Sequence, residues 1–468
     1  MLILKVVFLQ FFWLAIVLFG ASINEILLIS SSIFIVGANF LIYKPEISIG
    51  RVFFVTLLFT TFGYIHDSSL IWLKIILSES YSYGFLSLWI VFISYYGDVF
   101  NKLKELPLLF LAILGGIGGS LAYWSAYKLG ALSIALDSET FYLIFVFVLW
   151  GIFFPLSMWV FYEDKYWDFI LDKTIVFSFD KSGYKRHKSK FEGDLSQKDL
   201  TGKISLVTGG TSGIGGEVAQ ELSGLGSKVF VTGRNEQKGR SFIENNLNLH
   251  FHSLDMANWN RIKDFCNKGN CFDYIVLNAG SMPDSLVLND FSVEHQCASQ
   301  LIGHYYLIYM LKKYGKINRH ARIIWVSSGG MYLKKLDLDS LFHNQKYEKV
   351  SAYSNVKRAQ VTLVEELSRQ ERWKNVQVFS MHPGWVGTYG LKEALPIFFS
   401  LMKNRLRDMK EGADTIIWLL LTEESLTSGS FYFDRKIVSP YLSKNYNPTR
   451  EQRNAFMNKI DNYIEKYP

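Results

Sequence analysis

Tyr353 and Lys357 stand four residues apart, the spacing that puts two side chains on one face of a helix. A free phenol ionises near pH 10, too high for a base at neutral pH. An ammonium beside it favours the phenolate and makes the pair a carrier of protons. A second group lies upstream, where Thr208 to Gly215 read TGGTSGIG. The apolar run Ile204 to Val207 precedes it, and Gly216 to Leu225 follows with Val218, Ala219 and Leu222 at helical spacing. Val229 to Thr232 then reads as a second strand. Strand, Gly-rich turn, helix and strand form a dinucleotide-binding unit, because glycines let backbone N–H groups approach a pyrophosphate at a helix N-terminus. Thr208, Gly209, Thr211, Ser212, Gly213, Ile214 and Gly215 are therefore candidate cofactor contacts. Their spacing, T-G-x-x-x-G-x-G, differs from the usual dinucleotide fingerprint.

The end of the second strand bears on which dinucleotide. An acidic residue there would bond the ribose hydroxyls of NAD and repel a 2′-phosphate. The strand instead runs Thr232-Gly233-Arg234, with no acid before Glu236. Arg234 thus favours NADP(H) over NAD(H).

TGGTSGIG resembles the short-chain dehydrogenase/reductase superfamily, and the likeness runs from about Lys181 to Leu442. Ile275-Val276-Leu277 before Asn278-Ala279-Gly280 is similar to the family's strand and N-A-G turn against the cofactor, and Asp255 to its adenine contact. Ser327-Ser328 after Ile323–Val326, Tyr353-Ser-Asn-Val-Lys357, and His382-Pro383-Gly384 with Thr388 are similar to its serine, its Y-x-x-x-K motif and its nicotinamide-side loop. The resemblance implies a Rossmann-type, doubly wound parallel α/β sheet. It implies Ser328 on the substrate oxygen, Tyr353 as general acid/base, and Lys357 on both the phenol and the nicotinamide ribose. It also places Pro383, Gly384 and Thr388 near the cofactor. Gln300, in CASQLIGHYY, stands where the family has an asparagine that helps to hold a proton-relay water. The longer arm leaves that relay kept, slowed or lost. KSGY at Lys181–Tyr184, VSSGGM at Val326–Met331 and FYFDRKIVS at Phe431–Ser439 are similar to the retinol-dehydrogenase-like group, closest to the branch of dehydrogenase/reductase family member 12. That branch implies no particular substrate.

These residues all lie in one part of a 468-residue chain whose charge is unevenly spread. Residues 1 to 160 hold only seven basic and eight acidic side chains, which excludes a purely soluble protein. Six apolar segments, roughly 2–20, 26–43, 51–77, 83–100, 106–128 and 141–162, suit transmembrane helices and predict an all-α multi-span bundle. A signal peptide is the alternative for the first segment, against which no small-residue cleavage site is evident. Lys44 with Arg51, and Lys102 with Lys104, mark cytoplasmic loops, while Glu25, Glu79, Asp137 and Glu139 mark the opposite side, with Lys128 the exception at the end of the fifth segment. Both termini are then cytoplasmic, in a multi-pass protein of the bilayer. FFWLAIVLFGA, GYIHDSSLIWL and GGIGGSLAYWSAYKLGA, between Phe11 and Ala131, resemble an uncharacterised family of small bacterial inner-membrane proteins. Gly115, Gly116, Gly118 and Gly119 suit close helix packing. His66 and Asp67 either serve a function at membrane depth or mark where the third segment bends or leaves the bilayer.

The expected organisation is a membrane domain over 1–162, an interfacial segment and basic linker over 163–200 with Tyr166 and Trp167 at headgroup level, a catalytic domain over 201–442, and an amphipathic tail over 443–468. Cys266, Cys271 and Cys297 suggest neither disulfide nor zinc site, and no metal is expected. The net charge of +7 is diffuse apart from Lys185, Arg186, Lys188 and Lys190, which suits anionic lipid rather than nucleic acid. Leu391 to Met402 lies where the family places its substrate cover, and its apolar side chains suit a lipophilic pocket, the bilayer or core packing. Two functions fit: a membrane-anchored NADP-dependent oxidoreductase acting on a lipophilic carbonyl or alcohol, with homo-oligomers allowed, or an NADP(H)-binding sensor that regulates the membrane half.

Overall fold

The computed structural model describes residues 2–466 except 20–22, 44–48, 73–75, 78–82, 95–99, 104, 135–138, 163 and 343–345. The chain divides into two compact units, Met1–Thr174 and Ile175–Pro468. Lys44, Glu79, Lys104 and Asp137 lie outside the described residues, as do the side chains of Arg51, Lys102, Tyr166 and Trp167.

The first unit is helical. Helices Leu2–Phe19, Glu25–Tyr43, Ile49–Trp72, Tyr83–Ser94, Leu108–Lys128 and Glu139–Tyr162 fall on the six apolar segments. A short antiparallel pair joins β1 (Ile76–Leu77) to β2 (Ser133–Ile134). Among the described residues, Leu108–Lys128 and Glu139–Tyr162 are the two helices long and apolar enough to cross a membrane, by length and composition. They meet through glycine: a Cβ at Gly119 would fall 2.1 Å from the Trp150 ring, and one at Gly115 2.5 Å from Phe154 Cβ. His66 and Asp67 sit inside the helix Ile49–Trp72, which runs on past them. Asp67 is 3% exposed. Its carboxylate accepts from Trp89 Nε1 at 2.9 Å and Tyr123 Oη at 2.5 Å, and lies 2.8 Å from His66 Nδ1. The carboxylate therefore ties three helices together.

In the second unit, eight strands form one sheet in the order β10-β9-β8-β7-β6-β3-β4-β5. They are β3 (Ile204–Thr208), β4 (Lys228–Gly233), β5 (Leu249–Ser253), β6 (Phe272–Leu277), β7 (Ile317–Val326), β8 (Gln377–Met381), β9 (Phe431–Phe433) and β10 (Lys436–Ile437). All pair in parallel except β10, which turns back on β9. The inner strands are continuously apolar because helices cover both faces. Leu206, Ile275, Ile323 and Val378 enter one core, and their neighbours Val207, Val276, Ile324 and Phe379 enter the other. Strand order reverses between β3 and β6, and the carboxyl ends of the strands at such a switch point are the usual place for a ligand. The expected Rossmann-type sheet is present.

Two segments differ from expectation. The stretch read as a linker is folded: from Ile175 it belongs to the second unit, with helices Ile175–Phe179 and Lys181–Lys188. Asp180 caps the second of these through Ser182 N and Gly183 N, and Tyr184 and His187 are buried. The expected amphipathic helix is present as Arg450–Lys466, but it is packed into the domain rather than appended to it, burying Phe456, Ile460 and Ile464 in the core that holds Trp259 and Tyr305. Each such side chain contributes about 1.5–3 kcal/mol, so the helix is structural. Leu391–Met402 lies within helices Tyr389–Ala394 and Pro396–Met402, where Ile397 is 77% and Leu401 79% exposed. For those two side chains, core packing is excluded.

Candidate active site

The Gly-rich turn is locked to its neighbours by Thr208 and Asn278. Thr208 Oγ1 accepts from Asn278 N at 2.9 Å and Ala279 N at 3.0 Å, while Asn278 Nδ2 donates back to Thr208 O at 3.1 Å. Gly213 has φ +59° and opens the helix Gly213–Gly224, and a Cβ at Gly215 would fall 2.4 Å from Asn278 Nδ2. Glycine is required at both, for conformation at one and for space at the other. Ser212 makes no side-chain cap, so the first-turn N–H groups, including that of Ile214, are left for a ligand. Thr211 packs beside Gly233, next to Arg234. Arg234 is exposed and has no carboxylate partner among the described residues, whereas Glu236 is taken by Arg240. Asp255 turns at the end of β5, its Oδ1 accepting from Ala257 N at 2.9 Å. Gly280, after Ala279, is exposed beyond the carboxyl end of β6.

Ser328 follows β7, and Tyr353 and Lys357 share the helix Lys349–Arg369. The fold brings all three together. A Cβ at Gly330 would lie 3.5 Å from Ser328 Oγ and 3.7 Å from Tyr353 Cε1, and Lys357 Nζ lies 5.3 Å from the Tyr353 ring centre. Lys357 is 4% exposed and donates to Val326 O at 2.9 Å. On the far side, Gly384 has φ +76° and its N–H donates to His382 Nδ1 at 3.1 Å, while Pro383 O accepts from Arg407. Thr388 caps Tyr389–Ala394 and stands beside Gly213, a Cβ on which would be 3.5 Å from it.

Gln300 is fully buried in the π-helix Cys297–Gly303. Its Nε2 donates to Ser281 O at 2.7 Å, so the amide holds the loop after Gly280. Its backbone oxygen is already taken by Gln360 Nε2 at 2.7 Å and faces His304 Nδ1 at 3.0 Å.

Residues 203–396 match the short chain dehydrogenase family. Residues 2–156 match a family described as protein of unknown function (DUF2878). The chain is 32% identical over 279 residues to the human Dehydrogenase/reductase SDR family member 12, covering 56% of this chain and 86% of that one. It belongs to the short-chain dehydrogenase/reductase family. The Bos taurus protein of the same name is 30% identical over 275 residues, covering 56% and 86%. Human Retinol dehydrogenase 12 is 28% identical over 264 residues, covering 53% and 83%. This short-chain dehydrogenase/reductase is thus an oxidoreductase of alcohol and carbonyl groups, joined to an N-terminal region of the second family.

The electrostatics of this family member follow from desolvation of its ionisable groups. Burial pushes the Tyr353 phenol above its ordinary value, and the Ser328 hydroxyl draws it partly back. Burial also brings Lys357 down to about 7. The expected activation of the phenol by the ammonium is therefore outweighed here by desolvation of the phenolate. His304, which the motif reading passed over, is pushed to about 3 by burial and the Lys357 charge, and so is neutral. Its Nε2 lies 3.0 Å from Thr208 Oγ1, so it supports the residue that locks the Gly-rich turn. One histidine within an apolar helix carries no signal of this in the sequence.

Proposed function

We propose that the protein is a multi-pass membrane enzyme that transfers hydride between NADP(H) and a carbonyl or alcohol group of a lipophilic substrate. The observation that carries the reading is the convergence of Ser328, Tyr353 and the buried Lys357 on one another. The cradle of Gly213 and Gly215, the uncapped helix start and the exposed Arg234 fit a dinucleotide bearing a 2′-phosphate. When bound, the nicotinamide supplies or accepts the hydride. Thr208, Gly209, Thr211, Ser212, Gly213, Ile214 and Gly215 hold the pyrophosphate side, Asp255 the adenine, and Asn278, Ala279 and Gly280 the ribose wall. Pro383, Gly384 and Thr388 flank the nicotinamide. Ser328 orients the substrate oxygen. Tyr353, kept protonated by burial, gives its proton to that oxygen during reduction, and Lys357 holds the ribose. Gln300 sets the loop behind Gly280. The retinoid named in one relative supports a lipophilic substrate.

Apolar side chains of the first unit point outward, among them Phe11, Ile26, Phe34, Leu109, Phe141 and Ile152, each at least 60% exposed. Lipid satisfies such faces and water does not. Together with the loop charges this supports six spans over 1–162 and a cytoplasmic catalytic domain, and the resemblance of the first segments to small bacterial inner-membrane proteins supports a bacterial inner membrane. NADPH oxidation by the full-length protein in detergent, against retinoid, steroid and long-chain carbonyl compounds, tests the reading. NADPH binding without turnover on any of them would favour the sensor.

A further inference from the structure

Phe179 precedes β3 and lies before residues 203–396, yet it is buried, at 7% exposure, in the middle of the second unit. Its ring packs 4.4 Å from that of His382, 5.3 Å from Phe433 and 6.1 Å from Trp385, centre to centre. The ring edge also closes on the turn after Ser328: a Cβ at Gly329 would lie 2.6 Å from Phe179 Cε2. Its carbonyl oxygen faces the other way, accepting from Trp385 N at 2.9 Å and Arg407 Nε at 3.0 Å. A Cβ at Gly384 would lie 2.7 Å from that same oxygen. Two glycines, one next to Ser328 and one next to Pro383, thus lack side chains where Phe179 approaches.

The strut is itself anchored. Arg407 is fully buried, donates to Ser178 O and Pro383 O, and forks onto Asp434 at 2.5 and 2.9 Å. His187 Nδ1 lies 2.6 Å from the same carboxylate. Asp180 pairs with Arg405 at 2.8 and 2.5 Å. Apolar burial alone would not require these backbone bonds to the loop.

We infer that Phe179 is a positioning residue for the reaction: its ring and its carbonyl fix the distance between the Ser328 turn and the Pro383–Gly384 loop. The inference rests on the proposed roles of those two segments. The segment Ile175–Lys188 is then part of the catalytic unit.

The test uses the full chain in detergent and the variants Phe179→Ala, Phe179→Leu and Gly329→Ala. Hydrogen exchange is read at Ser328–Leu333, at His382–Thr388 and, for reference, at β3 and β4. Affinity is measured for NADPH, or NADH if it binds tighter, and for the ADP-ribose half of the same dinucleotide. Phe179→Ala should raise exchange in both site segments only and weaken the whole dinucleotide about tenfold, leaving the half molecule within about twofold. Gly329→Ala, which pushes the ring back, should do the same, and Phe179→Leu should restore most of the affinity. Exchange raised throughout the sheet with equal loss of both ligands would show a merely structural role and overturn the inference. Unchanged exchange in the two segments would overturn it as well. A wild-type protein that binds no dinucleotide would sink the proposed function, while exchange would still decide whether Phe179 fixes the two segments.

Discussion

Tyr353 and Lys357 show how burial, rather than spacing, sets the state of a titrating pair. The shared helix face was readable from a four-residue interval, but the direction of the phenol's shift was not, because it depends on what covers the ring. Replacing Tyr353 with Phe removes the proposed proton carrier and leaves the ring to pack. We expect NADPH binding to persist while carbonyl reduction falls by about 10² or more; equal rates for variant and wild type would end the mechanism. Lys357 yields a stability prediction. Its ammonium titrates at 10.5 ordinarily but at about 7 in the fold, so between those values the unfolded chain binds more protons. Stability of the cofactor-free protein should therefore rise with pH from about 7 toward 10.5, by at most about 1.4 kcal/mol per pH unit. Melting temperatures in detergent at pH 7, 8 and 9 would show it, and Lys357→Met should flatten that part of the slope.

At the scale of elements, the end of β4 and the middle of the helix Ile49–Trp72 make separate predictions. Arg234 leaves β4 exposed and without a carboxylate partner among the described residues. NADPH should bind at least about tenfold tighter than NADH, roughly 1.4 kcal/mol, and Arg234→Asp should reverse the order. Equal affinities in a fluorescence titration of the wild type would remove the argument. Asp67 accepts from donors on two neighbouring helices. Asp67→Ala takes this acceptor from the buried Trp89 donor, at about 1–3 kcal/mol, and removes one acceptor of Tyr123, while Asp67→Asn keeps an oxygen in place. A lower melting temperature for the first and a near-native one for the second is expected. Full stability in Asp67→Ala would show that the carboxylate is not a tie between helices.

Across the whole molecule, the charge asymmetry and the outward apolar side chains of the first unit support the proposed membrane location, and the loop charges the proposed cytoplasmic side of both termini. A reporter joined after Pro468 should read as cytoplasmic, and one inserted at Asp137 should not. A luminal or periplasmic signal from the first would overturn the six-span reading.

The sheet and the Gly-rich turn were legible in the sequence because they rest on local periodicity and backbone conformation: β3 is apolar on both faces, and Gly213 needs a positive φ. The motif order from TGGTSGIG to Y-x-x-x-K likewise needs no knowledge of packing. What tertiary structure alone decided depends on partners distant in the chain. Arg450–Lys466 reads as an amphipathic tail until its apolar face meets Trp259 and Tyr305. That the Gln300 amide donates to Ser281 O is likewise set by a contact the sequence does not record. The charged, aromatic stretch around Phe179 reads as a linker, since its ties to Trp385, Arg407 and Gly329 span more than a hundred residues. Periodicity carries no record of contacts at that separation, so only the folded chain reveals that Phe179 and the Ser328 turn pack against each other.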